Sequence, residues 1–517
     1  VLRQELISQG YKFKSKSDTE VINAIYELNG DKGLDRLKGM YVFAIFDKVR
    51  NITLIRRDRF GIKPFYYFIQ DKKLYGSSEM APLISIIKNR RINSLALNSF
   101  FIFDNNCYEE SFIKGIYKLE PGEQLIINQF CFTTSKWFDL KEYSKKTIIN
   151  SKDLNLLLED QISKSISQQS NTEVKTCIFF SGGIDSSLVS YFSLKQNPNI
   201  KLFSFLPKSI TKNNNDIINS SSRACLIGAK NFQYLNFEGD KLIYYLDKYI
   251  KNLYEPIADT AIIPTLFMTD EAVKQGFKVV LTGDGADEIF GGYKRYKIAS
   301  NFSLFALTSK LSSPLNKLFG SSFLKEQKRF LNILSFSKSL KKLYSQLLSM
   351  EDINNVDNTI VKYNDEVFLR VLEQHSKKII IDNSQDNFSI YNSLCNADLV
   401  NLLPNQYLPK IDSSTMSFGL EARVPFLDDD LVDFCITNRS ISPIPKFYSK
   451  PLLRNLLAKE FPNKFSKIKK QGYGCPLRDW LRGPLYDFIS PNNIDFDFFN
   501  NHNININLDD YNKLILN

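Results

Sequence analysis

The chain has few cysteines and almost no histidines, and neither type forms a metal-binding pattern. Its seven cysteines are an odd number and include no C-x-x-C pair, and no cysteine lies at zinc-site spacing from His375 or His502. These absences argue against a structural zinc site and against a disulfide framework. They predict a reduced protein located in the cytoplasm.

Long apolar runs are missing as well. No segment reaches the roughly 18 consecutive apolar residues that a membrane-spanning helix needs, and no charged and then apolar leader opens the chain. We therefore expect no membrane partner and no export.

Basic residues outnumber acidic ones, and the formal net charge is +11. The densest basic cluster lies between residues 325 and 342, where leucine and phenylalanine recur at helical spacing. A charged stripe opposite an apolar one is typical of a solvated helix face. We therefore expect no nucleic-acid partner, while the positive field would attract an anionic nucleotide.

The 517 residues suggest about two to four domains, and the sequence pattern changes near residue 140. Before that point, short segments bounded by turn residues predict strands. In two other segments apolar residues recur at helical spacing, which predicts helices. The predicted strands are residues 39–47, 52–57, 65–70, 73–76, 115–119 and 123–128, and the predicted helices are residues 18–28 and 80–87.

From residue 151 helices and strands alternate. The predicted helices are residues 152–167, 187–194 and 216–228, and the predicted strands are residues 174–180, 201–205 and 278–282, with a helix on each side of the last strand. This alternation is typical of a parallel sheet covered by helices. Residues 297–480 are mostly of helical pattern, and the Asn- and Asp-rich tail from Pro491 is predicted to be loose.

The motif SGGIDSS at residues 181–187 follows the apolar strand 174–180 and opens a helix. Its glycines let the backbone approach a polyphosphate, while serine hydroxyls and the amide groups of the new helix would bind the anion. The motif lacks the Gly-Lys-Ser/Thr ending that grips the β and γ phosphates in Walker loops, so we expect cleavage of ATP between its α and β phosphates. The residues expected to bind pyrophosphate are Ser181, Gly182, Gly183, Asp185, Ser186 and Ser187.

A second motif, GDGADEIFGGY at residues 283–293, follows the predicted strand 278–282. Its three carboxylates, Asp284, Asp287 and Glu288, would lie at the carboxyl edge of a parallel sheet, where open α/β sheets bind ligands. An Asp-Gly turn needs only one carboxylate, whereas three together repel each other unless a cation is present. The motif therefore predicts a bound cation or a cationic substrate.

These two motifs belong to a longer series that resembles the glutamine-dependent asparagine synthetases. In the second half of the chain the series continues with LPKIDSSTMSFGLEARVPFLD at residues 408–428, the segment 450–454 and GYGCPLRDWL at residues 472–481. The N-terminal region resembles the class II glutamine amidotransferase domain of that family through KSDTEV at residues 16–21, GMYVFAIFD at 39–47 and RDRFGIKPFYY at 57–67. The resemblance covers nearly the whole chain in order.

The resemblance implies two domains. Residues 1–138 would form an α+β domain of the N-terminal nucleophile type, with αββα layers, that lacks its N-terminal portion. Residues 151–517 would form an α/β domain of the adenine-nucleotide α-hydrolase (PP-loop) type with helical additions. The family also implies an ammonia passage between the domains, and a homodimer is compatible with it.

The activity implied by the resemblance is ATP-dependent conversion of aspartate to asparagine through β-aspartyl-AMP, with ammonia supplied from glutamine. ATP and Mg²⁺ would be required, with Asp185 and Asp287 as metal ligands and Gly283 beside the nucleotide. Lys450 would meet the negative charge of the departing pyrophosphate. Asp284, at a position where some relatives carry glutamate, would lie near the acceptor and the reacting amine.

The resemblance assigns other residues to the two substrates. Asp18 matches the residue that grips the amino group of glutamine. Six residues are expected near the acceptor carboxylate: Glu255, Asp259, Glu288, Asp412, Glu421 and Arg423. Glu421 and Arg423 would form either a buried ion pair or a substrate clamp, and the sequence leaves both open. Many relatives carry arginine at the position of Ser413.

The chain departs from the family at its start. Family members begin with a catalytic cysteine and later carry an arginine and an Asn-Gly pair that bind glutamine, whereas this sequence begins at Val1 without them. We favour a fragment over a true loss of these residues. The chain as written is expected to use free ammonia and not glutamine, because no thiolate is placed to form the thioester.

Three functions fit these observations. The first is asparagine synthesis, and the second is amidation of a different carboxylate, such as a sugar acid, by a member of the same family. The third, a PP-loop enzyme modifying RNA, is disfavoured by the missing thiol pairs and by the amidotransferase motifs. The sequence leaves the first two open, because the choice of acceptor depends on side-chain geometry.

Overall fold

The structure is a computed structural model that describes residues 1–129, 131–140, 154–208, 215–252, 255–301, 339–348, 361–363, 365–378, 387–438, 448–462, 465, 475–502 and 504–506. Residues 325–338 of the basic cluster and residues 472–474 of the GYGCPLRDWL motif lie outside these ranges. No helix within the described ranges combines the length and the apolar character of a membrane span.

The N-terminal region contains seven strands in two antiparallel sheets. The four-stranded sheet has the order β1-β2-β6-β7 and the three-stranded sheet has the order β4-β3-β5. The strands are β1 (Val42–Asp47), β2 (Ile52–Arg57), β3 (Tyr66–Gln70), β4 (Lys73–Ser77), β5 (Tyr117–Lys118), β6 (Glu123–Ile127) and β7 (Phe132–Lys136). Asp71 and Lys72 join β3 to β4 with φ values of 52° and 60°, the positive values that a tight two-residue hairpin turn requires.

Three helices pack on the outer faces of these sheets, α1 (Leu2–Ser8), α2 (Asp18–Gly33) and α3 (Met80–Ile86). A fourth helix, α4 (Ser94–Phe103), packs instead with Phe112 and with residues of the C-terminal region. Leu6 and Ile25 of α1 and α2 pack with Leu54 of the first sheet, and Met80 of α3 packs with Phe68 of the second. Apolar residues of both sheets meet between them. The order of layers is therefore helix, sheet, sheet, helix. The sequence predicted strands β1 to β6 and helices α2 and α3, but it missed β7 and α4.

A five-stranded parallel sheet forms the centre of the C-terminal region. Its strands are β8 (Thr176–Phe179), β9 (Lys201–Pro207), β10 (Asn231–Phe237), β11 (Val279–Leu281) and β13 (Glu421–Arg423), in the order β10-β9-β8-β11-β13. After β8 the chain adds β9 and β10 on one side of β8. It then adds β11 on the other side of β8. The strand order thus reverses between β8 and β11, and a ligand crevice is expected at their carboxyl ends.

Helices cover both faces of the parallel sheet, because successive strand residues point to opposite sides. Ile178 packs in one core with Leu188 and Leu457, whereas its neighbour Cys177 packs in a second core with Leu266. The first six helices are α5 (Leu154–Ser170), α6 (Ile184–Gln196), α7 (Asn215–Leu226), α8 (Leu242–Lys251), α9 (Ile262–Lys274) and α10 (Ala286–Phe290). Together the two regions form a two-domain mixed α/β arrangement.

The remaining helices within the described ranges are α11 (Lys294–Ser300), α12 (Leu340–Leu348), α13 (Asp365–Lys378), α14 (Asn387–Val400), α15 (Leu408–Met416), α16 (Asp429–Thr437), α17 (Pro451–Glu460), α18 (Leu477–Arg482), α19 (Tyr486–Ile489) and α20 (Phe496–Asn501). A five-residue π-helix, Leu403–Tyr407, leads directly into α15. The region 297–480 is therefore mostly helical within the described residues, as the sequence predicted.

The prediction of a loose tail was wrong for its described part. Helix α20 is followed by strand β14 (Ile504–Ile506), which pairs antiparallel with β12 (Val361–Tyr363). Phe498 and Ile504 pack against Leu97 of α4. The many asparagines of this segment suggested disorder, but its few apolar side chains bury enough surface on the N-terminal region to order it.

Candidate active site

A cavity of about 600 Å³ opens at the carboxyl ends of β8 and β11. Its walls come from the loops after these two strands, the loop before α9, the π-helix leading into α15 and the start of α17. This is the place where the strand order reverses, so the topology of the sheet and the position of the cavity agree.

The loop 181–187 forms one wall. Gly183 caps α6, so the amide groups of the first helical turn lie at the loop and have no partner within the helix. The hydroxyl of Ser181 lies 3.1 Å from that of Ser186 and accepts a hydrogen bond from the Gly183 amide at 3.3 Å. Gly182 has φ of 74°, a conformation that favours glycine.

The structure separates the residues of this motif. Ser181, Gly183, Asp185 and Ser186 line the cavity, whereas Gly182 and Ser187 are not on its wall. Ser187 is fully buried in the first turn of α6, where its amide donates to the Gly183 carbonyl oxygen. Arg223, which the sequence analysis did not single out, donates to the Gly182 carbonyl oxygen at 3.1 Å and supports the loop from α7.

Lys450 lies between two carboxylates at the edge of this loop. Its Nζ is 2.5 Å from Asp185 Oδ2 and 2.6 Å from Asp287 Oδ1. Burial acts to lower the pKa of Lys450, but the two carboxylates outweigh it and the pKa is raised. We call Asp185, Asp287 and Lys450 the Lys450 cluster, which joins three segments that are far apart in the sequence.

The backbone around this cluster is shaped for close approach. Lys450 has a left-handed conformation, with φ of 57°, and caps α17 ahead of Pro451. A Cβ on Gly292 would lie 1.5 Å from Asp287 Oδ1 and 2.6 Å from Lys450 Cε. Only glycine at this position leaves room for the contact between Asp287 and Lys450.

A second group of charges lies on the same cavity. Lys410 Nζ is 2.9 Å from Asp259 Oδ2, and the Ala261 amide donates to Asp259 Oδ1 at 2.8 Å. Burial acts to lower the pKa of Lys410, but Asp259 and then Asp284 outweigh it, so the pKa is raised. We call Asp259, Asp284 and Lys410 the Lys410 cluster. The GDGADE loop thus contributes one carboxylate, Asp287 or Asp284, to each cluster.

Glu288 also lines the cavity, and Tyr293 fixes the position of its carboxylate. It accepts a hydrogen bond from the Tyr293 hydroxyl at 2.9 Å. The Arg295 guanidinium lies 3.7 Å from the centre of the Tyr293 ring and pairs with the buried Asp398 at 2.5 Å. The ring of Tyr407 stacks on Tyr293 at 6.3 Å. This packing fixes a wall that the sequence motifs did not indicate.

Two residues expected near the acceptor lie elsewhere. Glu255 pairs with Lys118 of the N-terminal region at 3.0 Å, and both side chains are less than 9% exposed. Asp412 pairs with Lys63 of the same region at 2.8 Å. Asp412 follows Lys410 by two residues on α15, which turns it by about 200° around the helix and away from the cavity. Both carboxylates therefore contact the N-terminal region and are absent from the cavity wall.

Two further residues expected near the acceptor are also absent from the cavity wall, and Asp18, expected to bind glutamine, lies in the N-terminal region. Glu421 and Arg423 lie on the edge strand β13, where their side chains form an ion pair at 2.6 Å, and Arg423 donates to the Gln169 carbonyl oxygen. Of the two alternatives that the sequence left open, the described residues show an ion pair, and it is partly exposed. Asp18 is exposed at the first position of α2.

Most of the described ion pairs between the two regions have the basic residue on the N-terminal side, whereas Lys378 of the C-terminal region pairs with Glu120 at 3.2 Å in the opposite sense. Four basic residues of the N-terminal region pair with acidic residues of the C-terminal region: Lys38 with Asp430, Arg59 with Asp433, Lys63 with Asp412 and Lys118 with Glu255. The Lys118 pair is the most buried of the four. Glu255 also accepts hydrogen bonds from Asn106 and from the Phe112 amide, both at 3.1 Å.

We expect Glu255→Gln to lower the free energy of unfolding by about 3 to 5 kcal/mol, because Lys118 would remain buried without its counter-charge. Urea unfolding of the variant and the unchanged chain measures the difference. As a control, Asp71→Asn removes a partner of Lys88 in a pair whose side chains are more than 70% exposed, and its unfolding curve should match that of the unchanged chain. Equal curves for all three proteins would contradict the expectation.

The Lys450 cluster fits a metal that arrives with a nucleotide. Carboxylate oxygens are the ligands Mg²⁺ prefers, and it is usually held by one or two carboxylates together with substrate phosphates. Asp185 and Asp287 both line the cavity and converge on one point. Within the described part of the chain no group of three or more His, Cys, Asp or Glu residues forms a complete metal site, so phosphate oxygens would have to complete the ligand set.

Two cations that line the cavity, Lys410 and Arg454, were not predicted from the sequence. Lys410 stands inside the LPKIDSST motif, so the motif itself was the available signal. Arg454 follows Lys450 by four residues on α17, a spacing that places both on one helix face. It donates to the carbonyl oxygens of Ser449 and Phe465.

Comparison with known proteins agrees with this arrangement. A family model described as asparagine synthase matches residues 157–492, and a glutamine amidotransferase domain model matches residues 1–138. The chain is 28% identical over 513 residues to asparagine synthetase [glutamine-hydrolyzing] 1 of Bacillus subtilis, covering 94% of this chain and 76% of that protein. It is 24% identical over 499 residues to asparagine synthetase [glutamine-hydrolyzing] 3 of the same organism, covering 91% and 73%.

More distant proteins also match. Amidase chry2 of Gibberella zeae is 21% identical over 547 residues, covering 94% of this chain and 76% of that protein. A solved structure of NMN synthetase from Francisella tularensis covers 44% of this chain at 14% identity with a TM-score of 0.21, which is too low to indicate a shared fold. The asparagine synthase match spans more than half of the sequence and includes the whole cavity lining. The chain belongs to the glutamine-hydrolysing asparagine synthetase family, whose members are ATP-dependent amidotransferases that act on small molecules.

Proposed function

We propose that this chain is an ATP-dependent amide-forming ligase that converts aspartate to asparagine through β-aspartyl-AMP, with ammonia normally supplied from glutamine. The observation that carries the proposal is the Lys450 cluster, which lies beside the loop 181–187 at the carboxyl ends of β8 and β11. The names of the two Bacillus subtilis relatives support the assignment of product and nitrogen donor.

ATP would bind with its phosphates on the loop 181–187. The hydroxyls of Ser181 and Ser186 and the amide groups at the start of α6 provide donors for phosphate oxygens. Gly283 lies against Asp185, since a Cβ there would come within 2.9 Å of the Asp185 Cβ. This close contact keeps the two loops together around the nucleotide.

In the first step an oxygen of the aspartate side-chain carboxylate attacks the α-phosphorus of ATP. The bond between that phosphorus and the bridging oxygen breaks, and pyrophosphate leaves with the bond electrons. Lys450 is a buried cation in a fixed position, so it stabilises the charge that develops on the leaving group without reorganising. Mg²⁺, when held by Asp185 and Asp287, supplies further positive charge at the phosphates.

In the second step ammonia attacks the acyl carbon of the adenylate. The carbon–oxygen bond to AMP breaks, AMP leaves with the bond electrons, and the nitrogen releases a proton to water. Asp284 lines the cavity on the GDGADE loop and is the carboxylate we assign to the acceptor side. Its side chain is one methylene shorter than the glutamate of some relatives, which alters the space available to the acceptor.

The N-terminal region would provide the ammonia in a protein that also carries the catalytic cysteine expected of the family. We propose residues 1–138 as the amidotransferase domain of N-terminal nucleophile type and residues 151–517 as the PP-loop synthetase domain. Met40 and Phe60 of the first pack against the core that contains Leu408 of the second. This shared apolar core is where we propose that ammonia passes from the first domain toward the cavity.

The proposal predicts that aspartate supports exchange of labelled pyrophosphate into ATP when Mg²⁺ is present. Exchange reports the first step alone, because adenylate formation is reversible before ammonia arrives. The measurement compares aspartate with a panel of other carboxylic acids, including sugar acids, at matched ATP.

If aspartate gives no exchange while another acid does, asparagine is not the product. The adenylation step would still stand. The alternative acceptor, a sugar acid, is supported by two positions at which this chain differs from some relatives, Asp284 and Ser413. The acid that gives the highest exchange rate decides between the two.

A further inference from the structure

Lys118 of β5 joins three separate segments through one ammonium group. Its Nζ lies 3.0 Å from Glu255 Oε2, and it donates to the Asn106 carbonyl oxygen at 2.9 Å and to Asn405 Oδ1 at 3.0 Å. An ammonium carries three N–H donors, so these three acceptors use all of them. The side chain is also buried, which holds it in one position. We call Lys118, Asn106, Glu255 and Asn405 the Lys118 junction.

Two of the three segments continue directly into the cavity wall. Glu255 precedes residues 258–261, which line the cavity ahead of α9. Asn405 lies in the π-helix that leads into α15, and the next two residues, Gln406 and Tyr407, also line the cavity. The side chains of the junction are themselves absent from the wall. Lys118 thus connects two wall segments that are far apart in the sequence.

The turn after α4 reaches the same two segments through a second set of contacts. The Ala258 amide donates to the Asp104 carbonyl oxygen at 3.1 Å, and Asn105 Nδ2 donates to Gln406 Oε1 at 3.5 Å. Ala258 and Gln406 both line the cavity. The N-terminal region therefore supports two parts of the cavity wall, although none of its described residues lines the cavity itself.

Two other ion pairs between the regions show the contrast. Lys38 pairs with Asp430 and Arg59 pairs with Asp433, and both carboxylates lie on α16. No described residue of α16 lines the cavity. These pairs hold the two regions together, whereas the acceptors of Lys118 lie within a few residues of the cavity wall.

We propose that Lys118 is a positioning residue of the adenylation site, which holds the loop before α9 and the π-helix at a fixed separation. The inference rests on the proposed function, since it assumes that a carboxylic acid is adenylated in this cavity. It adds a second role for the N-terminal region, in the adenylation step. That role is separate from nitrogen supply, because the adenylate forms before ammonia reacts.

The role of Lys118 should concern the acceptor and not ATP. The two wall segments that it holds carry Asp259 and Tyr407, which lie beside Lys410 in the cavity. The loop 181–187 and the Lys450 cluster, where the phosphates are proposed to bind, are positioned by other elements, the ends of β8 and β11 and the start of α17. Loss of the junction should therefore displace one side of the cavity only.

The test is exchange of labelled pyrophosphate into ATP, without ammonia, by the double variant Lys118→Met/Glu255→Gln. Methionine and glutamine keep the approximate size of the two side chains and remove both charges, so neither charge is left buried and unpaired. The acid used is the one that gives the highest exchange in the unchanged chain. We expect kcat/KM for that acid to fall by about 10- to 100-fold, the scale for a group misplaced by about an ångström. The KM for ATP should not change.

Asn405→Ala tests the junction without removing the ion pair. It removes the acceptor on the π-helix and leaves Lys118 paired with Glu255. We expect kcat/KM for the acid to fall in this variant as well, again with an unchanged KM for ATP. Added to the double variant, Asn405→Ala should lower kcat/KM by no more than a further few-fold, because the changes act through one contact.

Lys38→Gln is the matched control. It removes a lysine of the N-terminal region that pairs with an aspartate of α16, away from the cavity. Its kinetics with the acid and with ATP should equal those of the unchanged chain. A urea unfolding curve of each variant shows whether it is folded under the assay conditions, and a mere loss of folded protein would lower the rate without changing the KM of either substrate.

The outcomes distinguish the inference from the function on which it rests. An unchanged kcat/KM for the acid in both Lys118→Met/Glu255→Gln and Asn405→Ala would overturn the inference alone. A KM for ATP that rises as much as that for the acid would also overturn it, because the whole cavity would then be affected. No exchange with any acid in the unchanged chain would overturn both, since Lys118 would have no adenylation site to position.

Discussion

Asp287→Asn is expected to lower the rate of ATP–pyrophosphate exchange by about 100- to 1,000-fold, the range seen when one preorganised charge-stabilising group is removed from an active site. Asp287 Oδ1 lies 2.6 Å from Lys450 Nζ, which is also held by Asp185. A neutral amide keeps the size of the side chain but removes one of the two negative charges that fix the lysine and that would hold Mg²⁺.

The fold should survive this change. Lys450 keeps Asp185 as its counter-charge, so the buried lysine is not left alone. The measurement is the exchange rate at several Mg²⁺ concentrations, together with the urea unfolding curve. We expect a large loss of rate and a higher Mg²⁺ requirement with a small change in stability.

A matched control is Asp433→Asn, which removes a carboxylate paired with Arg59 at 3.0 Å and lies outside the cavity. Its exchange rate should equal that of the unchanged chain. If Asp287→Asn kept the full rate and the normal dependence on Mg²⁺, Asp287 would have no part in adenylation.

The local motifs were the part of the site that sequence could predict. Ser181, Asp185, Asp284 and Asp287 each lie within a few residues of a strand end, and parallel strands bring such ends to one edge of a sheet. Their meeting on one cavity follows from that rule. Lys450 is 265 residues away from Asp185, and only the resemblance to the family linked the two.

Two of the residues expected near the acceptor, Asp412 and Glu255, are positioned by contacts between the two regions. Asp412 and Lys410 share one motif, and the rotation of α15 decides which of them faces the cavity. That rotation is set by the packing of Leu408 and Ile411 into the two cores. The position of the Glu255 side chain is likewise set by its ion pair with Lys118. Lysine is usually exposed, and Lys118 is buried only where the two regions meet.

Two of the strands that sequence missed, β13 and β7, are short or weakly patterned. Strand β13 has three residues, of which Glu421 and Arg423 are charged, so neither alternation nor an apolar run marks it. Strand β7 contains mostly threonine, serine and lysine on an exposed edge. Both are held by pairing with neighbouring strands, which a one-dimensional pattern does not show.

Gly292→Ala is expected to lower the exchange rate as strongly as Asp287→Asn although it changes no charge. A Cβ at this position would lie 1.5 Å from Asp287 Oδ1 and 2.6 Å from Lys450 Cε, far inside van der Waals contact. Neither neighbour can move away without breaking the Lys450 cluster. In addition to the loss of rate, we expect overpacking to lower the free energy of unfolding by about 1 to 3 kcal/mol.

Gly239→Ala is the matched control. A Cβ there would meet only Pro484 Cγ at 3.9 Å, an ordinary contact, and Gly239 does not line the cavity. Its exchange rate and its unfolding curve should remain those of the unchanged chain. A normal rate in Gly292→Ala would show that the contact between Asp287 and Lys450 is not needed for adenylation.

The double variant Gly292→Ala/Asp287→Asn tests whether the two changes act through one contact. Substitutions that disturb the same pair of groups have less than additive effects, whereas independent ones multiply their losses of rate. Since both changes displace Asp287 from Lys450, the double variant should be no more than a few-fold slower than Asp287→Asn alone. If the two losses of rate multiply, Gly292 affects the rate through another part of the cavity. The absence of a side chain at Gly292 would then matter for a reason other than the contact between Asp287 and Lys450.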